Sequence, residues 1–161
     1  MPPGAAVPGP PAGLPLPVAV GESCQRQICL SRTDIAAFAQ LSGDSNPIHS
    51  DDAAAQRAHH GQIIASGQHS TAMLIGLASS HFSRPGPGFR RELLCLNFNF
   101  AFKAPVLADQ LLTLDWRVAT VEWHARLAGW LVHVDGRAGP PGAAPSVVGR
   151  GTLLLKAMAD D

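Results

Sequence analysis

Within Gly43-Asp44-Ser45-Asn46-Pro47-Ile48-His49 a carboxylate and an imidazole stand five positions apart across an Asn-Pro corner. Such a pair can take a proton from one atom of a substrate and return one to another, which is general acid and base work. Pro47 fixes its own φ and holds Asn46 extended, so few conformers separate Asp44 from His49. Taken alone, Asp-x-Asn-Pro is also an ordinary turn in which Asp44 and Asn46 cap the bend. A second feature follows. Gly61-Gln62-Ile63-Ile64-Ala65-Ser66-Gly67-Gln68-His69 runs from a short apolar strand-like stretch into Gln68 to Ser80, where Ala72, Met73, Leu74, Ile75, Leu77 and Ala78 crowd nearly every face. A helix apolar almost all round is a buried one. Its first turn begins at Gly67, where the missing side chain lets a ligand approach the free N–H groups, and such a helix end binds negative charge developing on oxygen. Ser66 either lines that place or caps the helix.

Several elements must hold these groups. Ser31 to Leu41 reads as a short amphipathic helix with Ser31 or Thr33 as N-cap and Ile35, Phe38 and Leu41 as its apolar side. A strand is expected around Gln25 to Leu30 and a further helical turn at Asp51 to Ala58. After the breaker Arg84-Pro85-Gly86-Pro87-Gly88, residues Leu94, Leu96, Phe98, Phe100 and Phe102 alternate with Cys95, Asn97, Asn99 and Ala101, which predicts a long strand with one apolar face. Alternation returns at Leu112, Leu114, Trp116 and Val118, then around Ala125 to Val134, then from Val147 to Lys156, with a turn-like break at Gly136 to Pro145. Three or four antiparallel strands thus follow one oily helix. Both are satisfied if the sheet curls around the helix, an α+β arrangement.

The chain has 161 residues and no internal repeat, the size of one domain. Met1 to Pro17 is Pro, Gly and Ala with hardly a charge, and cannot repay ordering entropy with burial, so residues 1–17 are expected to be a flexible tail and 18–161 the folded domain. Twelve basic and twelve acidic residues balance and never gather into a basic stripe, which excludes the footprint of a nucleic-acid binder. Cys24, Cys29 and Cys95 are odd in number and lack zinc-site spacing, which points to a reduced, cytoplasmic setting. No run is long and apolar enough to span a bilayer, and no signal-peptide pattern opens the chain. His59, His60 and His69 have no Cys or carboxylate completing a ligand spacing with His49, so surface or cap roles are expected and no metal. Trp116, Trp123 and Trp130 are expected to pack sheet faces or an interface.

The lead-in Val20-Gly21-Glu22, the stretch Phe38 to Asp51 with its Asp-Ser-Asn-Pro-Ile-His loop, the turn Ile64-Ala65-Ser66-Gly67 and the corner Phe102-Lys103-Ala104-Pro105-Val106 together resemble the MaoC-like (R)-specific enoyl-CoA hydratases and dehydratases. The resemblance covers roughly Val18 to Lys156. It implies a hot-dog fold, in which a curved antiparallel sheet wraps a central helix, and a homodimer with two sheets joined edge to edge. It implies reversible hydration of trans-2-enoyl-CoA or enoyl-carrier thioesters to (R)-3-hydroxyacyl thioesters, without a cofactor and without a membrane or nucleic-acid partner. Asp44 and His49 then match the catalytic pair, and Gly67 matches the residue whose N–H meets the thioester oxygen. Ser66 and Asn46 are candidates for lining the substrate, Asn46 by fixing the loop or orienting His49. There are departures: Ser66 stands where many members carry His, and Ala108 stands where many carry a turn glycine before Asp109. An alanine can take that turn only with negative φ. Two competing readings keep the fold: an acyl-CoA thioesterase, which has no use for a paired imidazole at this spacing, and a non-catalytic acyl-CoA or acyl-carrier binding subunit.

Overall fold

The computed structural model describes residues 9–159. Residues 1–8 of the expected tail lie outside the described residues; the rest of it enters no helix or strand, and Pro17 and Val18 are already buried. Five strands follow: β1 (Ser23–Cys29), β2 (Phe89–Phe102), β3 (Leu111–His124), β4 (Gly129–Gly139) and β5 (Val147–Ala159). They form one antiparallel sheet in the order β1-β3-β4-β5-β2. Three α-helices precede β2: α1 (Arg32–Ser42), α2 (Asp52–Arg57) and α3 (Gly67–Phe82).

α3 touches β1, β2, β3 and β4, which a sheet can allow only by curling round the helix. Leu74, Leu77, Ala78 and Phe82 of α3 are buried there against Leu112, Leu114, Trp116, Val132, Val134 and Leu153. Each such side chain fully buried contributes about 1.5–3 kcal/mol, so the helix is held mainly by this core. One polar contact fixes its position along the sheet: Trp116 Nε1–H donates to the Leu74 carbonyl at 2.7 Å. The indole can lie that close because the next two positions across its row are glycines, with an aromatic ring again beyond them. Trp116 pairs with Gly136, Gly136 with Gly149, and Gly149 with Phe100. A Cβ on Gly136 would stand 2.4 Å from the Trp116 ring, and one on Gly149 would stand 2.5 Å from the Phe100 ring.

That row corrects one boundary: Gly136 lies inside β4, and the expected break begins only after Gly139, while Ala125–Leu127 is a 3₁₀ turn closing the β3–β4 hairpin. A second correction concerns the apolar face of β2. Its register against β5 shifts between Cys95 and Asn97, a β-bulge. A bulge adds one residue and reverses which face the side chains point to. Phe98 and Phe100 therefore reach the core together with Leu93, whereas Leu94 and Leu96 remain 61% and 47% exposed. In α1, Ile35 and Ala39 are the buried residues, and Leu41, expected on the apolar side, is 85% exposed.

Candidate active site

α1 starts with a capping box, in which Ser31 Oγ accepts from Asp34 N–H and the Asp34 carboxylate accepts from Ser31 N–H. This settles the N-cap as Ser31. Hydrogen bonds to the Asp34 carboxylate hold it below the usual carboxylate range. The helix ends at Gly43, whose φ of 72° is the left-handed conformation that glycine adopts without penalty. Asp44 N–H then reaches back to the Ala39 carbonyl at 2.9 Å, so the Asp44 backbone is part of the helix end.

Beyond it the side chains take over. Asp44 Oδ1 accepts from Asn46 N–H at 3.1 Å, and Asn46 Oδ1 accepts from Ile48 N–H at 3.4 Å as the cap of the 3₁₀ turn Pro47–His49. These two short loops turn the other carboxylate oxygen, Oδ2, to within 3.4 Å of His49 Nε2. His49 is 5% exposed, and its Nδ1 lies 2.7 Å from the Ile64 carbonyl oxygen. A carbonyl can only accept, so Nδ1 carries a hydrogen, and Nε2 is the ring nitrogen turned towards Asp44. No pattern of side chains marks Ile64 for this role, because it acts through a carbonyl that every residue owns.

Ile64 also leads to the helix mouth. Ala65 N–H bonds the Val106 carbonyl at 2.8 Å and Ala108 N–H bonds the Ile63 carbonyl at 2.9 Å, fastening this segment to the corner after β2. At that corner the left-handed residue is Asp109, with φ 60°, and Ala108 keeps a negative φ, the condition under which alanine fits. Ser66 is buried and caps α3, its Oγ accepting from His69 N–H at 3.2 Å. Gly67 is the first residue of α3, and a Cβ there would come within 2.7 Å of the Phe102 ring. Gly67 and Phe102 line a groove of about 700 Å³ with Lys103, Pro105, His60 and Ser70; Asp44 and His49 lie outside its lining. The fold thus joins Asp44 to His49 directly, and joins both to Gly67 through the three-residue step from Ile64. His69 departs from its expected surface or cap role: it is 4% exposed and stacked on Phe38. Among the described residues no group of three or more His, Cys, Asp or Glu side chains is arranged to hold a metal ion. Nor does any described helix have the length and apolarity to cross a membrane.

A family model described as "MaoC like domain" matches residues 17–127 of the chain. The chain belongs to the MaoC-like dehydratase family. It is 31% identical over 131 residues to a 3-hydroxybutyryl-CoA dehydratase of Methylorubrum extorquens, covering 76% of this chain and 78% of that protein. Among solved structures it resembles the (R)-hydratase of A. caviae involved in PHA biosynthesis, with a TM-score of 0.73, 24% identity and coverage of 84% of this chain and 96% of the other. It also resembles a MaoC-like dehydratase of Rhodospirillum rubrum, with a TM-score of 0.72, 17% identity and coverage of 89% and 96%. The curled sheet around α3 is accordingly the hot-dog fold of MaoC-like proteins, and the chain is an enzyme of the hydratase and dehydratase type.

Proposed function

We propose that the protein catalyses the reversible hydration of trans-2-enoyl thioesters of CoA or an acyl-carrier protein to (R)-3-hydroxyacyl thioesters. The observation that carries this reading is the approach of Asp44 Oδ2 to His49 Nε2 at 3.4 Å, with the far side of each group already tied to backbone. When His49 is neutral both atoms can accept, so a water molecule lying beside the pair can be held by it and give up a proton to it. As its oxygen bonds C3, the pair takes one of its protons, and the π electrons move onto the thioester oxygen. The Gly67 N–H at the mouth of α3 stabilises that oxygen, and the pair then returns one proton to C2 on the same face. Ser66 supports the helix mouth as its cap, and Asn46 holds Asp44 in place through its N–H.

The protein acts as a homodimer on this reading. β2 is an edge strand of 14 residues with Leu94, Leu96 and Phe102 exposed, the kind of edge that a second copy covers. Hydration of crotonyl-CoA, followed by loss of enoyl absorbance and by the configuration of the product, tests the activity. Asp44→Asn and His49→Ala should each lose about 10²-fold or more. Near-normal turnover by both purified variants excludes the mechanism, and release of free thiol in place of hydration excludes the reaction.

A further inference from the structure

Two routes of contact run between Asp44 and the mouth of α3, and together they close a ring. One passes through Ile64: Asp44 Oδ2 faces His49 Nε2 at 3.4 Å, His49 Nδ1 lies 2.7 Å from the Ile64 carbonyl oxygen, and the chain then leads directly to Gly67. The other passes through α1. Asp44 N–H bonds the Ala39 carbonyl at 2.9 Å, and the residue before Ala39 is Phe38. The Phe38 ring lies on the His69 ring with an interplanar angle of 1° and centroids 4.3 Å apart. His69 N–H in turn bonds Ser66 Oγ at 3.2 Å, inside the turn that opens at Gly67. The second route thus reaches Gly67 from the α1 side. Its weakest point is the stack, where two helices meet through side chains alone. His69 is 4% exposed and its Nδ1 has no hydrogen-bond partner, so packing on Phe38 holds this ring where a polar contact of that nitrogen does not. Two flat faces in contact fix a separation and an orientation together.

We propose that Phe38 and His69 are positioning residues, whose stack fixes α1 against α3 and so sets the place of the Asp44–His49 pair relative to the Gly67 N–H. The inference rests on the thioester reading above, in which proton transfer and the charge on the thioester oxygen are served together by groups on different elements. Such timing needs a fixed geometry. A misplacement of about 1 Å, caused by a change away from the chemistry, can cost about 10²-fold in rate. Substrate binding is a separate matter, because neither Phe38 nor His69 lines the groove in which Gly67 stands. Loosening the stack should therefore lower kcat and leave KM.

Hydration of crotonyl-CoA by the full chain tests this, at a temperature where circular dichroism shows each variant folded. Phe38→Ala and His69→Ala should each lose at least about tenfold in kcat with KM close to that of the wild type. Both remove the same contact, so the double variant should lose little more than either alone. His69→Phe keeps a flat ring, gives up no hydrogen bond of Nδ1 and should retain most of the wild-type kcat. Should the alanine variants fail to fold, Phe38→Leu and His69→Leu, which keep bulk without a flat face, decide by the same comparison. Unchanged kcat in the folded variants, a loss that sits in KM, losses that multiply in the double variant, or an equal loss in His69→Phe overturns the inference and leaves the hydratase reading standing. A wild type that does not hydrate crotonyl-CoA overturns that reading, and the inference with it.

Discussion

Asp44 uses its two oxygens differently, and this makes it separable by mutation. Oδ1 holds the loop through Asn46 N–H, and Oδ2 faces His49. In Asp44→Asn the amide oxygen can still accept from Asn46, so the variant should melt with the wild type while its hydration of crotonyl-CoA falls about 10²-fold or more. The pair was readable beforehand because all of its ingredients lie in one short stretch with a proline inside. The burial of His69 was not, since its neighbours Gln68, Ser70 and Thr71 are polar and only the packing of α1 against α3 encloses it. That burial has a consequence in acid. The unfolded imidazole takes up a proton near 6.5, and the folded one resists until a lower pH. The unfolded state therefore binds more protons across this interval, so stability is full above about pH 6.5 and is lost as pH falls towards the lowered folded value. Urea midpoints at pH 7.5 and 5.5 should drop more for the wild type than for His69→Leu; equal drops would refute it.

Gly67 meets Phe102 where the mouth of α3 touches the end of β2, and no periodicity in either element announces that contact. Phe102 is 58% exposed, so its ring can swing aside for a new methyl group. Gly67→Ala should then cost about 1 kcal/mol, the low end of overpacking, seen as a lowered melting temperature. The displaced ring enters the groove, so activity should fall further than stability does, and Phe102→Ala in the same chain should restore the melting temperature. The strands were legible as alternations, but their facing was not. A single extra residue near Leu96 exchanges the two sides of β2, and nothing in Leu94-Cys95-Leu96-Asn97 distinguishes a bulged from a regular strand. Gly136 misled in a similar way: glycine commonly ends strands, and here it makes room for the indole of Trp116.

The curled sheet around a buried helix was readable from the order of the patterns, because an oily helix followed by strands with one oily face has few ways to hide both. What the chain does with its remaining exposed apolar surface depends on partners, and a single sequence does not show them. Leu96→Lys places a charge on the β2 edge at a position 47% exposed, so it should leave the fold intact and convert a dimer to a monomer by light scattering. A wild type that is monomeric at micromolar concentration would remove the edge-to-edge assembly.

The left-handed exit at Gly43 ties the acid to the winding of α1. One residue added within that helix would turn its last position by about 100° and advance it about 1.5 Å, carrying the carboxylate away from an imidazole that stays anchored to Ile64. The stretch from Pro140 to Pro145, which joins β4 to β5, holds neither member of that pair. The chain should thus accept changes of length in that connection and refuse them in α1, so that where insertions and deletions are tolerated would trace the placing of Asp44 against His49 as clearly as any substitution.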